Sequence, residues 1–259
     1  MLSIQARIAK WVLRVLRYSE VKGTIDQQRL RQEKATQRFH IPRDIEVKPV
    51  NINGLSAAWF SGPEPKHGVV LYLHGGAYAL GSIQSHQEYL GRFASATRSQ
   101  ILAINYRLAP EDPFPAALED ALIAYRWILP RISDSSMIAI AGDSAGGGLA
   151  LATTLALRDA GDPLPACVVC LSPWVDLTLS SKSIQSKDAV DPILNPYFLD
   201  RYAGFYAGAY AREHDRISPI FSNLEGLPPL LIHVGTDEIL LDESIWLAEK
   251  AKDADVEVQ

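Results

Sequence analysis

The 259-residue sequence has only two cysteines, no run of about 18 apolar residues and no excess of positive charge, with 25 Lys and Arg against 30 Asp and Glu. Each absence removes a class of protein. Two cysteines make no disulfide framework. Cys167 and Cys170 form a C-x-x-C, but inside the apolar run ACVVCLSPW, which reads as a buried strand. At that spacing the two side chains point to opposite faces, so neither a bridge nor a shared metal is expected. Without a long apolar run or a small-residue cleavage site, neither a membrane span nor a secretory signal is indicated, and a cytoplasmic location is the default. A net charge of −5 gives no electrostatic reason to expect nucleic acid or an acidic membrane as partner. Internal repeats and low-complexity tracts are absent as well. What is present is 47% hydrophobic content, enough to bury a sizeable core as one large α/β domain or two small ones.

From residue 45 onward apolar runs alternate with helical patterns. IEVKPVNI and LSAAWF predict a hairpin about Asn53-Gly54. GVVLYLH, QILAINY, MIAIAG, ACVVCLSP and PLLIHVG are continuous apolar runs of the kind found in strands buried on both faces. Helical patterns lie between them, around 85–98, 115–129, 144–160 and 242–254. This alternation predicts an α/β fold, a mostly parallel twisted sheet with helices on both faces. Two regions fall outside it. In residues 1–44, Ile4, Ile8, Trp11, Val12, Val15 and Leu16 share one helical face, and Arg7, Lys10, Arg14 and Arg17 another. Packing of the apolar face on the protein is expected, in preference to a membrane surface or a transit peptide. In residues 178–215, Tyr197, Phe198, Tyr202, Phe205, Tyr206 and Tyr210 recur at helical spacing. They are either plain core or the underside of a cap over the carboxyl ends of the strands.

The chemistry concentrates in IAIAGDSAGGGLA, residues 138–150. Gly-x-Ser-x-Gly between a strand and a helix is the pattern of a nucleophile elbow, in which Gly142 and Gly146 relieve crowding and Ser144 projects its hydroxyl above the helix start. Upstream, His74-Gly75-Gly76-Ala77 follows another strand. Acyl transfer develops charge on a carbonyl oxygen, so backbone N–H groups must point at that oxygen unobstructed. The Gly75, Gly76 and Ala77 loop and the N–H of Ala145 are the candidates for this oxyanion hole. His74, at the strand end, is taken to order the loop.

HGGAY some seventy residues before GDSAGG resembles the hormone-sensitive-lipase family of esterases, within the α/β-hydrolase fold. The likeness continues through YRLAPEDPFPAALED, LSPWVDLT and LPPLLIHVGTDEILLDES, from about residue 45 to the end. It implies a cap built from residues 1–44 and the insertion of about 178–215, on a core of 45–259. One departure is visible: Ala77 stands where the family has a third glycine. The resemblance also implies an order of Ser, then acid, then His, and places the acid at Asp237, in preference to Glu238 and Asp242. Asp242 reads better as the N-cap or first turn of the next helix. A buried Asp237 would fix the tautomer of a histidine.

The expected activity is hydrolysis of small, short to medium acyl esters by Ser144, with neither metal nor organic cofactor. A homodimer is left open. The alternatives are a non-catalytic ligand-binding protein on the same fold, since related hormone receptors have lost the catalytic histidine, and hydrolysis of an amide or lactone. The histidines are His40, His67, His74, His86, His214 and His233, and none follows Asp237. The family places its base on a loop after the final strand. Val256 and Val258 in DADVEVQ look like the first residues of that strand. The expectation is therefore a C-terminally incomplete chain, nearly inactive and prone to associate through an uncovered sheet edge.

Overall fold

The structure is a computed structural model and describes residues 3–17, 23–132 and 134–259. The hairpin forms as expected, β1 (Glu46–Ile52) antiparallel to β2 (Leu55–Ser61), with Asn53 and Gly54 both at positive φ in the two-residue turn. The remaining strands are β3 (His67–Leu73), β4 (Ser99–Ile104), β5 (Ile138–Asp143), β6 (Cys167–Leu171) and β7 (Leu230–His233). They build one sheet in the order β1-β2-β4-β3-β5-β6-β7, parallel from β4 to β7. Val258 pairs parallel with Leu230, and Ile232 N–H donates to the Gln259 carbonyl, so the C-terminal residues extend the sheet beyond β7.

Alternate residues of β3 serve opposite cores, as the pleat requires. Leu71 and Leu73 join Ile104, Ile140, Tyr125 and Leu149 on one face, while Val70 and Tyr72 join Phe60, Ile101 and Leu90 on the other. Helices cover both faces: α3 (Ile83–Thr97) on the second, α4 (Ala116–Ile128) and α5 (Ala145–Ala160) on the first, with α8 (Leu241–Asp253) near the β7 edge. Cys167 and Cys170 are both free thiols. No helix among the described residues is long and apolar enough to cross a membrane.

Outside this core stand α1 (Ile4–Leu16) and α2 (Ile25–Thr36), and, between β6 and β7, the short α6 (Ser183–Ser186) and α7 (Pro196–Ala207). Asn195 caps α7 by accepting from Phe198 N–H, and Pro196 opens it. The aromatic stripe of α7 is chiefly core: Phe198, Tyr202 and Tyr206 are buried, while Tyr197 and Tyr210 are exposed.

The expectation for α1 is corrected. Its apolar side faces outward, with Ile4 73% and Trp11 66% exposed and Ile8, Val12 and Leu13 exposed beside them. The side chains of Arg7, Val15 and Leu16 lie outside the described ones. The docking side is the basic one. Arg17 is buried and donates to the carbonyls of Asp188, Asp191 and Leu194; Arg14 donates to that of Ala189, and Lys10 pairs with Asp237. Main-chain carbonyls of an irregular loop attract guanidinium groups strongly, and this segment presents four of them between Asp188 and Leu194. It is α2 that reaches α7, through Gln28, which accepts from the Tyr202 hydroxyl.

Candidate active site

The carboxyl ends of β3, β5, β6 and β7 lie along one edge of the sheet, where open α/β sheets bind ligands. Ser144 sits there between β5 and α5 at φ 52° and ψ −122°, a conformation that a side-chain-bearing residue adopts only under constraint. The constraint is visible: Ser144 N–H donates to the Leu171 carbonyl, and its own carbonyl accepts from Trp174 and Gly147. A Cβ on Gly142 would meet the Gly146 carbonyl oxygen at 2.2 Å, and one on Gly146 would meet that of Leu73 at 2.0 Å. The glycines thus permit the corner that the sequence pattern anticipated. No side chain among the described residues hydrogen-bonds the Ser144 hydroxyl.

Beside the corner, the loop after β3 passes through three consecutive residues at positive φ: Gly76, Ala77 and Tyr78. The Gly76 carbonyl closes it by accepting from Ala79 and Leu80. Tyr78 stacks on Tyr206 of α7 with centroids 3.6 Å apart, tying the loop to the insertion. Of the four expected oxyanion donors, Gly75 is engaged elsewhere: its N–H donates to Asp143 Oδ1 at 2.9 Å. Ala145 opens α5, where the first N–H groups of a helix have no intrahelical acceptor.

His74 is buried, stacks on Tyr106 at 4.3 Å and places Nδ1 2.8 Å from the Gly75 carbonyl. Burial, reinforced by nearby His86, lowers its pKa to about 3, so the ring is neutral. Tyr106 in turn donates to the His74 carbonyl at 2.7 Å. These contacts order the loop, as expected.

Asp237 follows β7 on the same edge, two strands from β5. It is not buried: its side chain is 48% exposed and paired with Lys10, which holds its carboxyl below the usual range. Its competitors have structural partners. Glu238 accepts from Ser172 at 2.9 Å and Gly235 N–H at 2.7 Å, and Asp242, in the first turn of α8, accepts from Ser183 N–H at 2.8 Å.

Four side chains that support the site had not been expected from the sequence. Asp143, the variable position of the elbow, accepts from Tyr72 at 2.8 Å as well as from Gly75. His86 lies 3.6 Å from its other oxygen. From α2, Arg29 donates to the Ala79 carbonyl at 2.9 Å and Gln32 accepts from Gly81 N–H at 3.0 Å, supporting the far end of the loop. A polar helix offers no apolar periodicity to detect; its readable signal is the capping box Thr24-x-x-Gln27.

Comparison with known proteins agrees with this geometry. A family profile described as alpha/beta hydrolase fold matches residues 70–259. An acetyl-hydrolase of Streptomyces hygroscopicus is 40% identical over 232 residues, 88% of this chain and 77% of the relative. An esterase of Acinetobacter venetianus is 35% identical over 215 residues, 83% of this chain and 71% of the relative. Among solved structures, an esterase from the bacterial hormone-sensitive lipase family superposes with a TM-score of 0.95 at 39% identity, covering 100% of this chain and 87% of that one. The sheet order, the strained serine corner and these matches agree: the chain belongs to the α/β-hydrolase fold family and, within it, to the esterases of the hormone-sensitive-lipase type.

Proposed function

We propose that this esterase is a serine carboxylesterase for small molecules with short to medium acyl chains, acting in the cytoplasm. Ser144 attacks the ester carbonyl carbon, and the C–O bond to the alcohol breaks after proton transfer to the leaving oxygen. Water then hydrolyses the acyl-serine. The N–H groups of Gly76, Ala77 and Ala145 carry the developing oxyanion, and Asp237 is the acid of the triad. The observation that carries this reading is the strained backbone of Ser144 beside the loop of Gly76 and Ala77. Residues 1–44 and 178–215 form the cap, a division supported by the contact of Gln28 with Tyr202 and the stacking of Tyr78 on Tyr206.

Turnover by these 259 residues is slow in this proposal. Asp237 faces Lys10, and no imidazole hydrogen-bonds the Ser144 hydroxyl among the described residues. Loss of one triad member lowers turnover by about 10⁴- to 10⁶-fold and leaves the contribution of the oxyanion donors. The same observation favours a second reading, a ligand-binding protein without catalysis. Hydrolysis of p-nitrophenyl esters of increasing chain length separates the two. A weak rate that prefers short to medium chains and disappears in Ser144→Ala supports the esterase. Rates equal to those of Ser144→Ala at every chain length support the binding protein, and fast turnover would show that the base has been misplaced.

A further inference from the structure

His86 has no part in the chemistry above, yet it is fixed from both sides. It lies in the first turn of α3, with Nδ1 3.1 Å from the Ser82 carbonyl and 2.9 Å from Ser85 Oγ. Its Nε2 is at ion-pair distance, 3.6 Å, from Asp143 Oδ2. Doubly protonated, the imidazole donates to the Ser82 carbonyl at one nitrogen and faces the Asp143 carboxylate with a positive charge at the other; once neutral it loses that charge, and Nδ1 can instead accept from Ser85 Oγ. The other Asp143 oxygen accepts from Tyr72 and from Gly75 N–H. The approach is so close that a Cβ on Gly75 would stand 2.2 Å from Oδ2. Gly75 immediately precedes Gly76 and Ala77, and Asp143 immediately precedes Ser144. One carboxylate therefore joins the residue before the oxyanion donors to the residue before the nucleophile.

We propose that the His86–Asp143 pair is a pH-sensitive clamp on the oxyanion loop, with His86 a positioning residue. Protonated His86 orients the Asp143 carboxylate on Gly75 N–H, which sets where the N–H groups of Gly76 and Ala77 point relative to Ser144. The link to catalysis rests on Ser144 being the nucleophile; the clamp itself does not. Burial opposes charge on both partners, but their attraction outweighs it, with His86 raised above its ordinary 6.5 and Asp143 held below its ordinary range. The other titratable groups facing the pair are His74, whose ring centroid is 5.4 Å from that of His86, and the phenols of Tyr72, Tyr89 and Tyr106. His74 is neutral above about pH 3, and burial raises all three phenols. Glu33 of α2 reaches the same turn through Ser82 Oγ. His86 is thus the member of this group that the Asp143 carboxylate keeps protonated to above its ordinary 6.5.

The test follows the His86 ring and the Gly75 amide proton by NMR in the 259-residue chain, from about pH 5 to about pH 9. The clamp predicts that both titrate with one midpoint above 6.5, and that the Gly75 response disappears in His86→Gln. A Gly75 signal indifferent to His86 titration, or titrating unchanged in His86→Gln, overturns the clamp, and the wild-type measurement alone can do so. The second readout is residual p-nitrophenyl acetate hydrolysis. His86→Gln lowers kcat by about 10- to 100-fold at unchanged KM and removes the alkaline fall of the profile. An unchanged profile with a lowered denaturation midpoint would mean a structural role only, and overturns the positioning claim. No hydrolysis by any variant refutes the esterase reading, while the Gly75 titration still decides the clamp.

Discussion

Ser144 and its flanking glycines are where the sequence constrains structure most tightly. A side chain at φ 52° and ψ −122° is held there at a cost of about 1–3 kcal/mol. Glycine at the same corner escapes most of that strain. Ser144→Gly should therefore be more stable than Ser144→Ala by about 1 kcal/mol in urea denaturation, although both remove the hydroxyl. Gly146→Ala should behave in the opposite way. Its Cβ would lie 2.0 Å and 2.6 Å from the carbonyl oxygens of Leu73 and His74, so the strand ends must shift, with an expected loss of about 1–3 kcal/mol. Residue chemistry made the elbow legible, because the close approaches at Gly142 and Gly146 leave no room for a Cβ on either side of Ser144. It hid Asp143, which occupies a position the pattern leaves variable, and whose partners, Tyr72, Gly75 and His86, come from distant segments.

Strands and long helices were readable from hydrophobic periodicity, because β3 to β6 and α3 to α5 bury apolar faces in one sheet. The N-terminal helices were not. The amphipathic pattern of α1 predicted an inward apolar face, but Arg14 and Arg17 found main-chain carbonyls and turned the helix the other way. Trp11→Ser, at an exposed position, should therefore change stability by less than about 0.5 kcal/mol. The polar α2 carries more of the structure. Arg29 bonds the Ala79 and Ala109 carbonyls at 2.9 and 3.0 Å, and Arg29→Met should cost about 1–3 kcal/mol in the same assay. A tolerant Arg29 together with a sensitive Trp11 would reverse these assignments of the two helices.

Across the whole molecule, buried titratable groups shape the response to pH. His74 is neutral when folded, with a pKa of about 3 against 6.5 when unfolded. The unfolded chain binds that proton first, so stability falls as pH drops below 6.5. Glu243, fully buried, has its carboxyl pushed well above 4.5 by burial and by Asp176. The folded chain keeps its proton longer, so stability falls as pH rises above 4.5. The two slopes have opposite signs, each at most about 1.4 kcal/mol per pH unit, so above 4.5 they oppose one another. Above 6.5, His86 adds to the alkaline loss as its stabilising proton leaves. Urea denaturation should show stability lost toward acid pH through His74 and toward alkaline pH through Glu243 and His86, the alkaline fall being shallower in Glu243→Gln. A steady rise of stability from pH 5 to 9 would contradict the neutral burial of Glu243.

The identity of the nucleophile is tested most directly by mass spectrometry of the chain after incubation with p-nitrophenyl butyrate. Slow deacylation should leave a single butyryl group on the peptide containing Ser144, formed with release of an equivalent amount of p-nitrophenol and absent from Ser144→Ala. Acylation of another residue in its place, or equal p-nitrophenol release from Ser144→Ala, would contradict a serine esterase built on this corner.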